Sequence, residues 1–241
     1  SVSAAGASGF YAGINVRHYG TGTLEVISSG AVAGYQAGIK TYNYGGGAQS
    51  ITVSGSVAGD GSSGPAILAI GGAQATNITL NAGADLSAYY SGKAIQISTS
   101  GASTTTVNGG ATVTGSLELG SGNGNVTFNG GDFSGVTVID GGAGSDSLTV
   151  TNGAAAIAGS QLVSIENVTV GAGGAISLSG TLNTLGVTVA SGGTLGGSAA
   201  INANVAVESG GTLSAGNSPG LLEIVGNLDL GVSSTTLVEL G

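Results

Sequence analysis

A repeat of nearly fixed period constrains this chain more than any other feature of its sequence. One set of short apolar segments has anchors at Leu24, Ile51, Ile78 and Thr105, which recur with a period of about 27 residues. A second set, anchored at Ile14, Ile39, Ile67 and Ile95, recurs at a spacing of about 25 to about 28 residues. A period of this size predicts a solenoid, in which each repeat buries its apolar side chains against the next.

The composition favours strands over helices and over disorder. Hydrophobic residues make up 41% of the 241 residues and charged residues only 6%, the reverse of a disordered chain. Glycine is abundant, with 50 residues, but it has no Gly-X-Y period, so collagen is excluded. Short alternating apolar segments bounded by Gly, Asn, Ser and Asp predict strands throughout. We therefore predict an all-β parallel solenoid with a narrow aliphatic core.

The repeat shortens along the chain. Residues 1–130 carry the period of about 27 residues, whereas Val168, Val187 and Val205 step by 19 and then 18. No Pro- or Ser-rich linker separates the two regimes. We expect one domain over 1–241, with long repeats over 1–130, shorter ones over 131–209 and a C-terminal segment over 210–241.

The charge balance excludes nucleic acid as a partner. The net charge is −9, and the three cations, Arg17, Lys40 and Lys93, are too few to form a basic patch. Cysteine is absent, which excludes disulfides and thiolate metal sites. The chain opens without the basic region of a signal peptide, and no apolar stretch reaches the roughly 20 residues that span a bilayer. We expect a mature chain or an excerpt of a longer rod.

The C-terminal segment carries a more specific pattern. GGTL at Gly210–Leu213, GNSPG at Gly216–Gly220, GNLDL at Gly226–Leu230 and LVEL at Leu237–Leu240 follow one another in order. This pattern resembles the passenger-associated transport repeat of Gram-negative autotransporters. The Gly-, Thr-, Val- and Asn-rich remainder is similar to the β-helix of their passenger domains.

The resemblance implies both a fold and a function. The fold is a right-handed, single-stranded parallel β-helix. The chain would be exported through a C-terminal β-barrel translocator of the full-length protein and would be secreted or lie at the outer-membrane surface. There it would serve adhesion, aggregation or virulence by contacting a host or bacterial cell-surface protein or glycan. The C-terminal repeat would aid folding during export.

A polysaccharide lyase or hydrolase is the alternative, because such enzymes also use parallel β-helices. They need clustered acids, often beside a basic residue. Asp132 and Asp140 could meet on neighbouring repeats, but Arg17 and Lys40 lie far along the rod. His18 has no accompanying serine-hydrolase motif and is expected to be exposed at a strand end. We therefore expect no enzymatic activity and no cofactor.

One segment, Gly141–Thr149, fits the calcium-binding nonapeptide G-G-x-G-x-D-x-U-x. Asp140 and Asp146 are its candidate calcium ligands, through hard carboxylate oxygens. Such sites need stacked copies, and the sequence has only one. The preferred interpretation is a Gly-rich corner in which aspartate makes an Asx turn. Threonine pairs such as Thr104 and Thr106 look isolated, so we also expect no ice-binding array.

The aromatic residues are unevenly distributed. All seven tyrosines precede residue 91, together with Arg17 and Lys40, whereas residues 94–241 hold nine acids and no cation. Tyr and Arg are favoured at recognition surfaces, and tyrosine rings also stack on sugars. If the chain binds a partner, we expect the N-terminal repeats to carry the contact, with Tyr35, Tyr42, Tyr44, Tyr89 and Tyr90 as the candidate residues. The alternative is that these tyrosines only fill wider repeats or decorate loops.

Overall fold

The computed structural model describes residues 1–9, 11–61, 64–216 and 220–238. About 60% of the chain is strand, and the described residues include no α-helix, only a short 3-10 turn at Gly159–Gln161. Parallel strands stack into a solenoid of about ten turns, here called coils. The predicted all-β parallel β-helix is confirmed.

Each of the first four coils contributes three strands. They are β1 (Val2–Ala4), β2 (Ala7–Gly9), β3 (Ala12–His18), β4 (Leu24–Ser28), β5 (Val32–Gly34), β6 (Ala37–Asn43), β7 (Gln49–Val53), β8 (Ser56–Gly59), β9 (Ile67–Gly71), β10 (Thr76–Leu80), β11 (Asp85–Ala88) and β12 (Lys93–Ser98). The first, second and third strands of successive coils stack into three faces, A, B and C, of which B and C are joined into one sheet through β14 (Thr112–Glu118).

Later coils are shorter, and their strands merge. The middle strands are β13 (Ser103–Asn108), β14 (Thr112–Glu118), β15 (Gly124–Asn129), β16 (Val136–Asp140), β17 (Ser147–Thr151), β18 (Ala154–Ala158), β19 (Leu162–Val163) and β20 (Asn167–Val170). The last are β21 (Ala175–Val189), β22 (Thr194–Val207), β23 (Thr212–Ala215), β24 (Glu223–Ile224), β25 (Leu228–Leu230) and β26 (Thr235–Leu237). β14 runs from face B into face C, because it pairs with β11 and then with β12.

Equivalent residues stack directly on one another along face A. One buried column runs through Val26, Ile51, Ile78, Thr105, Val126, Leu148, Val168, Val187 and Val205. Its members are separated along the chain by steps of 25, 27, 27, 21, 22, 20, 19 and then 18. The predicted steps of 27 after Ile51 and of 19 and 18 after Val168 are therefore confirmed. The predicted column of Ile14, Ile39, Ile67 and Ile95 on face C is confirmed as well.

One predicted anchor is wrong. Leu24 pairs with Gln49 rather than with Ile51, whose true neighbour is Val26. Leu24 and Val26 are both buried, and a shift of two residues keeps the same side chains on the same side of a strand. The hydrophobic pattern alone therefore could not distinguish the two registers. The repeat lengthens after β8, because β8 pairs with β5 at a step of 25 residues whereas β9 pairs with β6 at a step of 28.

A column of hydrogen-bonded asparagines supports the corner that follows face A. The Asn108 side-chain amide donates to the Asn81 side-chain oxygen at 3.4 Å, Asn129 donates to Asn108 at 3.0 Å, and Asn152 donates to Asn129 at 2.8 Å. Asn152 has a φ of 53°, a left-handed conformation that asparagine tolerates better than most residues. The ladder ties four successive coils together at a position where the chain must turn.

Removing one rung tests the contribution of this ladder. Asn129→Ala deletes one donated and one accepted hydrogen bond, and we expect a loss of about 1–2 kcal/mol in the free energy of unfolding. Urea denaturation followed by circular dichroism measures the change. Asn77→Ala is the matched control, because Asn77 is exposed on face A and its side-chain amide has no hydrogen-bond partner among the described residues. It should change stability by less than about 0.5 kcal/mol. Equal effects of the two substitutions would contradict a structural ladder.

Candidate binding surface

A cluster of aromatic and basic side chains covers the N-terminal end of face C. Strands β3 and β6 lie side by side there, and Arg17 is paired with Tyr42. Alternate residues of a strand point to the same side, so Arg17 and Tyr19 face outward on the first coil. Lys40, Tyr42 and Tyr44 face outward on the second coil for the same reason. We call these five residues the basic aromatic cluster.

The rings of the cluster stack on one another, and Tyr42 lies at its centre. The ring centroids of Tyr19 and Tyr44 are 5.3 Å apart, and those of Tyr42 and Tyr44 are 5.8 Å apart, with nearly parallel planes in both pairs. Arg17 Cζ lies 5.1 Å and Lys40 Nζ 5.2 Å from the Tyr42 centroid, within the range of cation–π attraction. Tyr42 is half-buried by these neighbours, whereas Tyr19 and Tyr44 are 71% and 58% exposed.

The two cations of the cluster are not neutralised by carboxylates. Neither Arg17 nor Lys40 forms an ion pair with any residue that the structure describes. The third cation of the chain, Lys93, differs from them, because its Nζ lies 2.9 Å from Glu118 Oε1. The basic aromatic cluster is therefore a positive patch on a chain whose net charge is −9.

The other predicted tyrosines lie at the opposite edge of face C. Tyr35 lies in the corner before β6, and Tyr89 and Tyr90 lie in the corner before β12. The rings of Tyr89 and Tyr90 meet edge-on, 4.8 Å apart, and are 82% and 67% exposed. The chain from Tyr35 to Tyr44 runs across the whole of face C, about 30 Å when extended. The five predicted residues thus form two groups on the two edges of one face, not one cluster.

Sequence reasoning left Tyr19 out of the predicted contact surface and did not assign Arg17 or Lys40 to it. The signal that could have found them is the sequence spacing between Ile14 and Ile39. The same spacing places Arg17 beside Tyr42 and Tyr19 beside Tyr44. His18 lies at the end of β3, as predicted, but it is half-buried rather than exposed. Its Nδ1 lies 3.1 Å from Asn43 Oδ1 on the next coil.

The prediction that Asp132 and Asp140 meet on neighbouring coils is wrong. Both belong to the same coil: Asp132 precedes the extended strand β16, and Asp140 is its last residue. Asp132 lies beside Thr112, whereas Asp140 lies between Glu118 and Val163. The Ser134 backbone N–H donates to Asp132 at 2.8 Å and holds the pKa of that carboxyl below its usual value. An acid that stays ionised in this way is a poor proton donor.

Asp146 is buried at a corner of the solenoid, where it forms hydrogen bonds with the coils on either side instead of making a surface turn. In the preceding coils, backbone N–H groups at this corner donate to carbonyl oxygens of the next coil; the donors are Leu24, Gln49, Thr76 and Ser103. At Gly124 the acceptor is Asp146 Oδ1, at 2.5 Å, and the Asp146 N–H in turn donates to Glu166 Oε2 at 2.6 Å. Two carboxylates thus replace two backbone carbonyls in this ladder. The Asx turn predicted for this corner is made by Asp140, which accepts the Gly142 N–H at 3.0 Å.

The environment of Asp146 opposes its ionised form. Its side chain is fully buried, and Oδ2 has no hydrogen-bond partner among the described residues. Burial raises the pKa of Asp146, the hydrogen bond from Gly124 opposes that shift, and the negative charges of Glu166 and Asp140 add to it. The described residues contain no group of three or more His, Cys, Asp or Glu side chains that could hold a metal ion. Asp140 and Asp146 therefore act as hydrogen-bond acceptors for backbone N–H groups in this structure.

Face A carries a threonine column that the sequence did not reveal. Its outward members are Thr52, Thr79, Thr106, Thr127, Thr149, Thr169 and Thr188. Thr106 is therefore not part of an isolated pair. The neighbouring column is mixed, however, with Ser50, Asn77, Thr104, Asn125, Ser147, Asn167 and Gly186. An ice-binding array needs two adjoining threonine columns, and the described residues of face A form only one.

Comparisons of the chain with models of protein families, with curated proteins and with solved structures found no match. The part of the chain that the structure describes contains no helix long and apolar enough to cross a membrane.

The burial of Asp146 predicts a specific pH dependence. The folded-state pKa of Asp146 is raised above its unfolded value, so ionised Asp146 lowers stability above the folded-state pKa. That cost disappears as the pH falls through the folded-state pKa towards the unfolded value. Asp146→Asn keeps the acceptor oxygen for the Gly124 N–H and removes the charge. We expect it to stabilise the fold at pH 7 by on the order of 1 kcal/mol, and the gain should vanish near pH 4.

Thermal unfolding of both proteins across this pH range measures the difference. Glu208→Gln is the matched control, because it removes one negative charge from an exposed corner. It should leave the melting temperature nearly unchanged. A lower melting temperature for Asp146→Asn at pH 7 would contradict the conclusion that the buried charge of Asp146 lowers the stability of the fold.

Proposed function

We propose that this chain is part of a non-catalytic, rod-shaped surface protein, the passenger of a Gram-negative autotransporter. In this proposal it mediates adhesion or aggregation by contacting host or bacterial cell-surface proteins or glycans. The observation that carries the proposal is the set of exposed tyrosines on both edges of face C in the first four coils. Large exposed aromatic side chains on a rigid sheet are typical of recognition surfaces.

The C-terminal segment supports the export part of the proposal. Its GGTL and GNLDL pieces contain residues of β23 and β25, which pair with β22. Leu228 and Leu230 extend the columns of Val205 and Val207. Asn217–Pro219 of the GNSPG piece and Glu239–Leu240 of the LVEL piece lie outside the described residues. A C-terminal segment that adds a coil to the rod is suited to the role of a folding template during export.

The positions of Asp132 and Asp140 argue against a polysaccharide-cleaving site built on those two acids. Cleavage of a glycosidic bond needs two carboxyl groups facing one substrate, or an acid beside a base. Asp132 precedes β16 and Asp140 ends it, and each accepts a backbone N–H. The paired arrangement expected of the alternative enzyme is not formed by these two residues.

Attachment assays test the adhesive role. The purified chain is coupled to beads, and the beads bound to epithelial or bacterial cells are counted. We expect Tyr19→Ala with Tyr44→Ala to reduce attachment by about tenfold or more, because exposed aromatic anchors dominate binding energy at interfaces. Tyr89→Ala with Tyr90→Ala tests the second edge in the same way and should also reduce attachment.

The control lies on another face of the same rod. Thr127→Ala with Thr149→Ala alters outward, half-buried side chains of face A and should leave attachment unchanged. Circular dichroism confirms that each variant keeps the fold. Attachment that survives loss of both tyrosine pairs would refute the proposed contact surface.

A further inference from the structure

We propose that the basic aromatic cluster binds acidic polysaccharide, that is, a glycan chain bearing carboxylate or sulfate groups. The inference rests on the proposed adhesive function and specifies the class of ligand. It follows from a juxtaposition on face C, where two cations without carboxylate partners lie against a stack of three tyrosine rings.

The unpaired cations are the first part of the argument. Placing two positive side chains close together costs energy through their mutual repulsion, which a nearby carboxylate would normally relieve. Twelve acids are present in the chain, yet none pairs with Arg17 or Lys40 among the described residues. The sequences of β3, β6, β9 and β12 contain no acid at all. An anionic ligand would supply the missing negative charge.

The charge changes sign along face C. The outward column that includes Lys40 continues through Leu68 and Gln96 to Glu118 and Asp140. Three coils separate Lys40 from Glu118, or about 14 Å at the usual strand spacing. The Debye length at physiological salt is only about 8 Å, so Glu118 and Asp140 barely weaken the positive field at the cluster. On face C, an anionic polymer is therefore favoured at the basic aromatic cluster over the region of Asp140.

The stacked rings favour a glycan over other anions. Tyr19 is 71% exposed and stacks only on Tyr44 within the cluster, so the C–H face of a sugar ring can pack on the side of the Tyr19 ring turned away from Tyr44. The Arg17 guanidinium has a planar fork that matches a carboxylate or a sulfate, and Lys40 adds a point charge beside it. Tyr42 restrains both cations before any ligand arrives, which reduces the entropy lost on binding. An acidic peptide would use the two charges but would leave the stacked rings without a matching group.

A matched pair of polymers tests the ligand class. Dextran and dextran sulfate share one sugar backbone, and carboxymethyl dextran adds the carboxylate case. We expect the purified chain at physiological salt to bind both charged polymers at least about tenfold more tightly than plain dextran. Arg17→Gln with Lys40→Gln should remove most of that preference. Tyr19→Ala with Tyr44→Ala should weaken binding to the charged polymers by a similar factor.

Lys93→Gln is the control for net charge. It removes a cation from the same face, but one whose charge is already matched by Glu118. It should change affinity by less than about twofold, because Lys93 lies two coils from Lys40, farther than the Debye length at physiological salt. An effect of Lys93→Gln equal to that of Arg17→Gln would overturn the site, because binding would then follow net charge alone.

Two further outcomes would overturn the inference. One is failure of the unaltered chain to prefer the charged polymers. The other is binding of polyglutamate as tight as that of dextran sulfate and insensitive to Tyr19→Ala with Tyr44→Ala, which would indicate an acidic peptide. If attachment to cells is lost with the tyrosines but not with Arg17→Gln and Lys40→Gln, the adhesive function stands and the acidic glycan fails.

Discussion

Parallel pairing of equivalent residues in successive coils is the constraint on which the rest of this structure depends. The backbone groups of each coil form hydrogen bonds with those of the next coil, so a residue is fixed beside its counterpart one repeat away. Val26, Ile51 and Ile78 are neighbours for this reason, although a full coil of chain separates each from the next. Any side chain that recurs at the repeat spacing becomes a continuous column on the rod.

Columns of different residue types stabilise different parts of the fold. Aliphatic columns fill the narrow core, and the asparagine ladder binds the corner after face A. At the corner before face A the backbone ladder is interrupted at Gly124, where Asp146 and Glu166 provide side-chain acceptors instead. Outside the core, the same stacking brings Arg17 to Tyr42 and Tyr19 to Tyr44. The buried core and the candidate site thus follow from one register.

The parts of this fold that could be predicted are those that hydrophobic periodicity determines. The isoleucine column of face C was predictable because an isoleucine recurs directly after a small residue, in AGI, AGI, PAI and KAI. The Leu24 register was not, since two apolar residues, Leu24 and Val26, offer equivalent alternatives. The tyrosines were recognised by composition, but their division into two groups depends on which corner each one occupies. The burial of Asp146 was not predictable. It depends on the Gly124 N–H, which donates to the Asp146 carboxylate where the equivalent N–H groups of earlier coils donate to a backbone carbonyl.

The most direct measurement of the central claim is a cross-linking test of the register that builds the cluster. The chain has no cysteine, so two introduced cysteines can form an intramolecular disulfide only with each other. Asn15 and Lys40 are paired residues, and their Cα atoms should lie about 4.8 Å apart, within the range that a disulfide bridges. Under mild oxidation Asn15→Cys with Lys40→Cys should cross-link nearly completely. Asn15→Cys with Tyr42→Cys, a pair displaced from this register along β6, should not, and preferential cross-linking of that second pair would contradict the account.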